Sequence, residues 1–311
     1  MPRSAGRKPR GFTCIELLCT AMSVSLILTA VLPYVVQSRQ EQQRSKCRQN
    51  LKQIGLAMHN YHDVYNQFPP GWVNTSIAAD TPPAWGWGAR LLPFLEEMRL
   101  FDQLTIGKES AMGPATGVLR TPVAVFRCPD NRNLPDTNAF RGGYGLSCYV
   151  VNYGHRRPPR WSDGRLEAGW PGGLPTRSGN RSASNEEYAT GIAALNSNIG
   201  IRDITDGTSN TFMVGERSRI GNWAIWTGVG ANRFEHDIVA DVSFESAINR
   251  SATGFSSPHR GGAYVAMADG SVPFLSEDVA SSREGDVLQY LGDRHDSKDL
   301  REAKPFLEPS N

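Results

Sequence analysis
The chain has 311 residues with 33 basic and 31 acidic side chains, a formal net charge of +2. That length admits a membrane helix plus one large or two small domains, and the near-neutral balance, with no clustered basic face, argues against nucleic acid as a partner. The 31 glycines and 20 prolines predict many turns and long loops.

Residues 1–11 carry Arg3, Arg7, Lys8 and Arg10 and no acid. After Gly11 and Phe12 comes a single carboxylate, Glu16, and then an uncharged run of 22 residues, 17–38. At helical rise such a run spans roughly 33 Å, enough to cross the hydrocarbon core of a bilayer. The basic flank places the leader in the cytoplasm and everything beyond Val36 outside. The expected topology is therefore single-pass, with the C-terminal head outside the cytoplasm. A secretory signal has its small-residue cleavage site after the apolar segment. Here Gly11 precedes that segment, and an acid at membrane depth is a functional feature by default.

The segment 11–18, Gly-Phe-Thr-Cys-Ile-Glu-Leu-Leu, resembles the class III signal of type IV pilins and of the pseudopilins of type II secretion. The resemblance implies that a prepilin peptidase cuts after Gly11 and methylates Phe12. It implies that Glu16 pairs with the terminal amine of a neighbouring subunit, and that Pro33 is the proline many pilins carry in this helix. Cleavage would remove four cations and turn the net +2 into −2.

Pro33 removes one helical donor and crowds the carbonyl of Thr29, so a kink or locally opened turn is expected there. Residues 37–46 read as a solvated helical spacer. Cys47, Leu51, Ile54, Met58, Tyr61 and Tyr65 then step by 3 and 4, an apolar stripe suited to packing on the chain's own domain. The helix is predicted over residues 12–66, roughly 80 Å long, and ends before Phe68-Pro69-Pro70-Gly71. His59 and His62 share a face, but no acid or cysteine completes a ligand set, so they read as partly exposed helix residues next to the turn.

Leu91, Leu92, Leu95, Met98 and Leu100 predict a short helix with Pro93 in its first turn. Residues 118–127 read as leading into a strand that ends at Cys128-Pro129-Asp130, and residues 144–153 as a strand by their β-branched and aromatic content. Of the five cysteines, Cys14 and Cys19 lie in the membrane segment and Cys47 on the helix beyond it. Cys128 and Cys148, in the exported part, form the candidate disulfide, although sequence does not establish connectivity. None of the cysteine spacings reads as a zinc site. Residues 155–187 carry six arginines among Pro, Gly and Ser and read as an exposed insertion.

Two distal segments stand out. In 201–216, Asp203, Asp206 and Asn210 belong to an oxygen-rich run that either wraps a hard cation such as calcium or caps its own turn. No other cofactor is expected. In 259–275, residues 263–268 and 271–275 are strand-like and joined by Asp269-Gly270, a strong hairpin signal. His259 and Asp269 are not expected to form a catalytic pair, because they fall at opposite ends of one strand up to ~33 Å long. Both read as structural turn residues.

The segment 47–63, Phe68-Pro-Pro-Gly, Trp85-Gly-Trp87, Leu91-Leu-Pro-Phe-Leu-Glu, Cys128-Pro-Asp, the 203–211 motif and the terminal hairpin together resemble the prepilin-type H-X9-DG family, a domain of unknown function. The resemblance covers residues 11–276 and implies a pilin-like α+β fold, a long N-terminal helix against an antiparallel sheet, with no known reaction. The expected organisation is a leader (1–11), a membrane segment (12–36), the outer half of the helix (37–66), a head (67–276) and a polar tail (277–311) with a short helix near 286–291. Three functions follow. The first is a pseudopilin-like structural subunit of a type II secretion or pilus-like system, partnered by the prepilin peptidase, the membrane and other pilin-like subunits. The second is an anchored binder of a polysaccharide or other ligand, with Trp72, Trp85, Trp87 and Trp170 as stacking candidates. An exported hydrolase ranks last for want of a nucleophile–base constellation, so the chain is expected not to be an enzyme.

Overall fold
A single α-helix of 52 residues, α1 (Cys14–Tyr65), dominates the N-terminal part of the computed structural model. The structure describes residues 13–73, 84–104, 106, 117–131, 134–155, 161–162, 165–166, 189–217, 223–229, 237–243, 246–279, 287–295 and 307–308. The chain divides after Arg44 into two compact units. In the first, the segment Cys14–Leu32 is long and apolar enough to cross a membrane, and its apolar side chains, Leu17, Leu26 and Leu28 among them, are exposed. The helix continues through Pro33.

In the second unit the stripe behaves as a packing face. Cys47, Leu51, Ile54, Met58 and Tyr61 are buried, while Tyr65, the last residue of the helix, is exposed. Burying each such side chain contributes about 1.5–3 kcal/mol, so this face holds the helix to its sheet. Asn66 ends α1 with φ +54°, its N–H bonded to the His62 carbonyl at 2.7 Å, a left-handed stop that asparagine tolerates.

The strands are β1 (Trp72–Val73), β2 (Trp85–Gly86), β3 (Thr137–Asn138), β4 (Tyr144–Ser147), β5 (Tyr149–Gly154), β6 (Trp161–Ser162), β7 (Arg165–Leu166), β8 (Phe212–Glu216), β9 (Ala224–Ile225), β10 (Val239–Asp241), β11 (Gly262–Met267), β12 (Phe274–Ser276) and β13 (Leu307–Glu308). Short helices are α2 (Trp87–Leu91), α3 (Met98–Phe101) and α4 (Val287–Gly292). A six-stranded sheet in the order β10-β5-β8-β11-β12-β13 forms the centre. Its pairings are antiparallel except β10–β5, which is parallel, so the sheet is mixed. Along β11 and the residue after it, Ala266 and Ala268 join the core that contains the α1 stripe, whereas Val265 and Met267 join a second core with Phe212, Leu275 and α4. Successive side chains of a strand face opposite ways, and both faces of this sheet are therefore covered. The fold class is α+β.

Several elements differ from their sequence expectation. Residues 144–153 form two strands, because the N–H of Cys148 turns aside to the Phe126 carbonyl at 2.7 Å and the Ser147 hydroxyl donates to the Tyr149 carbonyl. Residues 118–127 are two 3-10 turns, Gly117–Arg120 and Ala124–Phe126, rather than a lead into a strand. Pro122 and Pro129 lack the N–H a ladder needs. The expected short helix over 91–100 is α2, then a 3-10 turn with Pro93 in its first turn, then α3. Within the expected polar tail, the described residues 287–291 and 307–308 pack with the head: Val287, Leu288 and Leu291 of α4 are core residues, and β13 pairs with β12. The Asp269-Gly270 hairpin joins β11 to β12 as expected. Gly270 has φ +83°, and the Asp269 carboxylate accepts the Ser271 N–H at 2.8 Å, the turn chemistry these residues favour.

Candidate functional site
Where β8 ends, its last residue carries a carboxylate into the interior. Glu216 is fully buried. Its backbone is held by pairing with Tyr149 of β5 and by the Ser256 N–H, which donates to its carbonyl at 2.8 Å. The β8–β11 ladder reaches Val265 opposite Gly215. One step further, the Tyr264 N–H donates instead to Glu216 Oε2 at 2.8 Å. The other oxygen, Oε1, stands 3.2 Å from Nε2 of His259.

His259 lies just before β11 and its side chain is fully buried. Its N–H donates to Ser257 Oγ at 2.9 Å, and its ring stands edge-on to Tyr264, centroids 5.5 Å apart. Nδ1 is 2.9 Å from Asp130 Oδ2, a carboxylate about one-fifth exposed. The imidazole thus bridges two carboxylates.

Against this row lies a disulfide between Cys47 of α1 and Cys128, with Cα atoms 5.3 Å apart. Side-chain donor atoms of Cys47, Cys128, Glu216 and His259 all lie within 4.8 Å of one another. The Tyr149 hydroxyl donates to the Cys47 carbonyl at 3.3 Å and the Asn50 amide to the Arg127 carbonyl at 2.9 Å, so α1 is tied to both sides of the cluster. The expected Cys128–Cys148 disulfide is corrected: Cys148 is a free, buried thiol. The helix stripe delivers Cys47 to Cys128, whereas Cys148 sits at the break between β4 and β5. Burial pushes the Cys148 thiol up to about 12, so it stays protonated.

A family model for proteins of unknown function, DUF1559, matches residues 37–247 and 243–282. The chain belongs to the DUF1559 family. No curated protein and no solved structure gives a significant match. In this DUF1559 chain the match takes in the disulfide and Asp130, Glu216 and His259 beside it, and it begins after the segment Cys14–Leu32.

The structure separates His259 from Asp269, at opposite ends of β11, as the hairpin reading required. It also corrects that reading of His259, which is a buried cluster residue rather than a turn residue. Asp130 and Glu216 were missed as site residues. Each ends a sequence block, Cys128-Pro-Asp and Thr211-Phe-Met-Val-Gly-Glu, and acids at such ends were the available signal. Position spacing hid the cluster because its members come from four segments far apart in the chain.

Glu16 takes a role the sequence reading did not weigh. Its Oε2 accepts the N–H and the hydroxyl of Thr13, both at 2.9 Å, and its own N–H points back at the Thr13 hydroxyl at 3.4 Å. This is the reciprocal cap formed by Thr-x-x-Glu at a helix start. Gly11 and Phe12 lie outside the described residues, as do Trp170 and most of the 155–187 insertion. Trp72, Trp85 and Trp87 are core residues, with the Trp87 indole N–H bonded to the Ile238 carbonyl at 2.9 Å, and so present no stacking surface. His62 Nε2 accepts the Ile201 N–H at 3.2 Å and His59 stands edge-on to Phe68.

In the 203–210 loop, the Asp203 carboxylate accepts the Gly200 N–H at 2.8 Å and the Asn210 amide donates to the Asp206 carbonyl at 2.8 Å. The N–H groups of Thr205 and Asp206 reach the Arg294 carbonyl. The side chains of this run bind backbone, the self-capping alternative. A calcium chelator should therefore leave the thermal midpoint of the detergent-solubilised chain unchanged. A fall in midpoint that added calcium restores would assign Asp203, Asp206 and Asn210 to a cation.

Two cations, Arg217 buried and Arg141 mostly so, brace the sheet nearby. Arg217 follows Glu216, and its guanidinium donates to the carbonyls of Gly254, Val239 and Thr253. Burial, with the like charge of Arg141, lowers its pKa to about 9. Arg141 is paired with Asp237. Such groups are costly to bury and stay because each has partners.

Proposed function
We propose that this DUF1559 chain is a pilin-like structural subunit, anchored in the inner membrane by the first part of α1, with its head in the periplasm or outside. One observation supports the reading above others. A single helix, Cys14–Tyr65, joins an exposed apolar segment to a stripe buried against a sheet, and the segment's one acid, Glu16, stands at the helix start beside the place where processing would create an amine. In this reading prepilin peptidase removes residues 1–11 and methylates Phe12. Glu16 receives the amine of a neighbouring subunit, and the chain works with pilin-like or type II secretion components rather than as an enzyme.

Intact-mass measurement of the membrane-extracted chain tests the proposal. In cells with an active prepilin peptidase the chain should begin at a methylated Phe12, and Gly11→Val should leave a precursor eleven residues longer. A wild-type chain that keeps Met1, or is cut after Val36, overturns it.

A further inference from the structure
The cluster around Cys47 and Cys128 has the composition of a metal centre as well as of a disulfide. We infer that Cys47, Cys128, His259 and Glu216 bind one zinc ion when the two cysteines are thiols, and that the disulfide is the oxidised, metal-free form of the same site.

The two non-sulfur donors are already placed. In a tetrahedral site with bonds of about 2.0 Å, nitrogen and oxygen ligands stand roughly 3.3 Å apart. His259 Nε2 and Glu216 Oε1 are 3.2 Å apart. Each is also aimed by a second contact on its far side. Asp130 at His259 Nδ1 favours the tautomer whose Nε2 lone pair faces the cluster, the arrangement that orients and strengthens zinc-bound histidines. The Tyr264 N–H occupies Glu216 Oε2 and leaves Oε1 directed at the imidazole.

The donor chemistry selects the ion. Two thiolates with one imidazole and one carboxylate suit zinc and exclude calcium or magnesium, which take oxygen ligands. All four ligands are buried, so the site is closed in the manner of a structural zinc. A carboxylate and a histidine kept side by side in the interior, next to two sulfurs, also acquire a purpose they lack in the disulfide state: a dication offsets the negative charge of the carboxylate and thiolates.

The two states exclude each other by distance. Disulfide sulfurs lie about 2.0 Å apart, whereas two thiolates on one zinc stand roughly 3.8 Å apart. Oxidation needs an external disulfide as oxidant. The Cys47–Cys128 bond forms and the oxidant's S–S bond breaks. Two electrons pass to the oxidant's sulfurs, which take up two protons from solvent and leave as thiols while the zinc ion departs. In both states α1 stays fastened to the loop before β3, by an ion or by a covalent bond.

Cobalt(II) makes the test readable. The full-length chain in detergent, reduced with a phosphine under nitrogen, is loaded with cobalt and freed of excess by gel filtration. One cobalt per chain is expected, with visible bands of a tetrahedral ion and thiolate-to-cobalt charge transfer, both erased by one equivalent of zinc. The oxidised chain should retain none. Cys47→Ser and His259→Gln should lose binding, and Asp130→Asn, at a partly exposed position, should fold and weaken it about 10- to 100-fold. The wild-type spectrum carries the result even where a buried variant fails to fold. No retained cobalt in the reduced chain, a spectrum without thiolate charge transfer, or uptake that survives Cys47→Ser overturns the inference.

Discussion

Glu16→Ala and Glu16→Gln should both insert into the membrane and be processed, and both should fail to enter an assembly. The pair of variants separates two roles that a single alanine confounds. Glu16 closes a cap with Thr13 through three hydrogen bonds. Glutamine serves at that position of a capping box as well as glutamate does, so Glu16→Gln keeps the cap and loses only the charge. Alanine loses both, at an added helix cost of about 1 kcal/mol, small beside the stabilisation a bilayer gives an apolar helix. Between subunits the carboxylate would neutralise a terminal amine in low dielectric. Removing one partner of such a pair costs several kcal/mol, because the other charge is left uncompensated. In-cell crosslinking to neighbouring subunits, read beside the processed mass, measures the outcome. Assembly of Glu16→Gln at wild-type level with failure of Glu16→Ala would make Glu16 a capping residue alone. Normal assembly of both would leave an anchored chain with no role for the acid in assembly.

Cys128→Ser should lower the thermal midpoint of the metal-free, non-reduced chain by roughly 10 °C. The bridge closes a separation of 81 residues, and in the chain-entropy account a loop of that length is worth about 4.5 kcal/mol, with a usual range of about 2–5. For a head of this size each kcal/mol moves the midpoint about 2–4 °C. Cys148→Ala should cost only about 1 kcal/mol, since it trims one buried sulfur without opening a crosslink. Non-reducing peptide mapping supplies the direct check, with a Cys47 peptide joined to a Cys128 peptide. A Cys128–Cys148 peptide, or equal losses for the two variants, would reject the pairing.

What the amino-acid order determined by itself was local. The stripe from Cys47 to Tyr61 is a helix face because steps of 3 and 4 return to one side every turn. Pro69 and Pro70 could not continue that helix, and Asn66 could take the left-handed stop just before them. Asp269-Gly270 turned a strand back on itself for reasons contained in two residues, and the apolar run 17–38 was long enough to span a bilayer whatever the head does. The family resemblance was legible for the same reason, since its motifs are short and contiguous.

The site was not legible. His259 meets Glu216 across 43 positions of sequence and Cys47 meets Cys128 across 81. Neither distance leaves a trace in periodicity or in turn chemistry. A cysteine on an apolar stripe and an acid at the end of an apolar strand each satisfy a local pattern, and nothing local names their partners. The parallel β10–β5 pairing and the burial of α4 belong to the same category. Once the sheet forms, its uncovered face must be covered, and which segment does so depends on packing rather than on that segment's own pattern. Tertiary structure alone therefore decided that one histidine, one buried acid and two cysteines share the interior, with a second acid, Asp130, at its edge. Bringing charged groups together out of water is tolerated only where the whole fold supplies their partners.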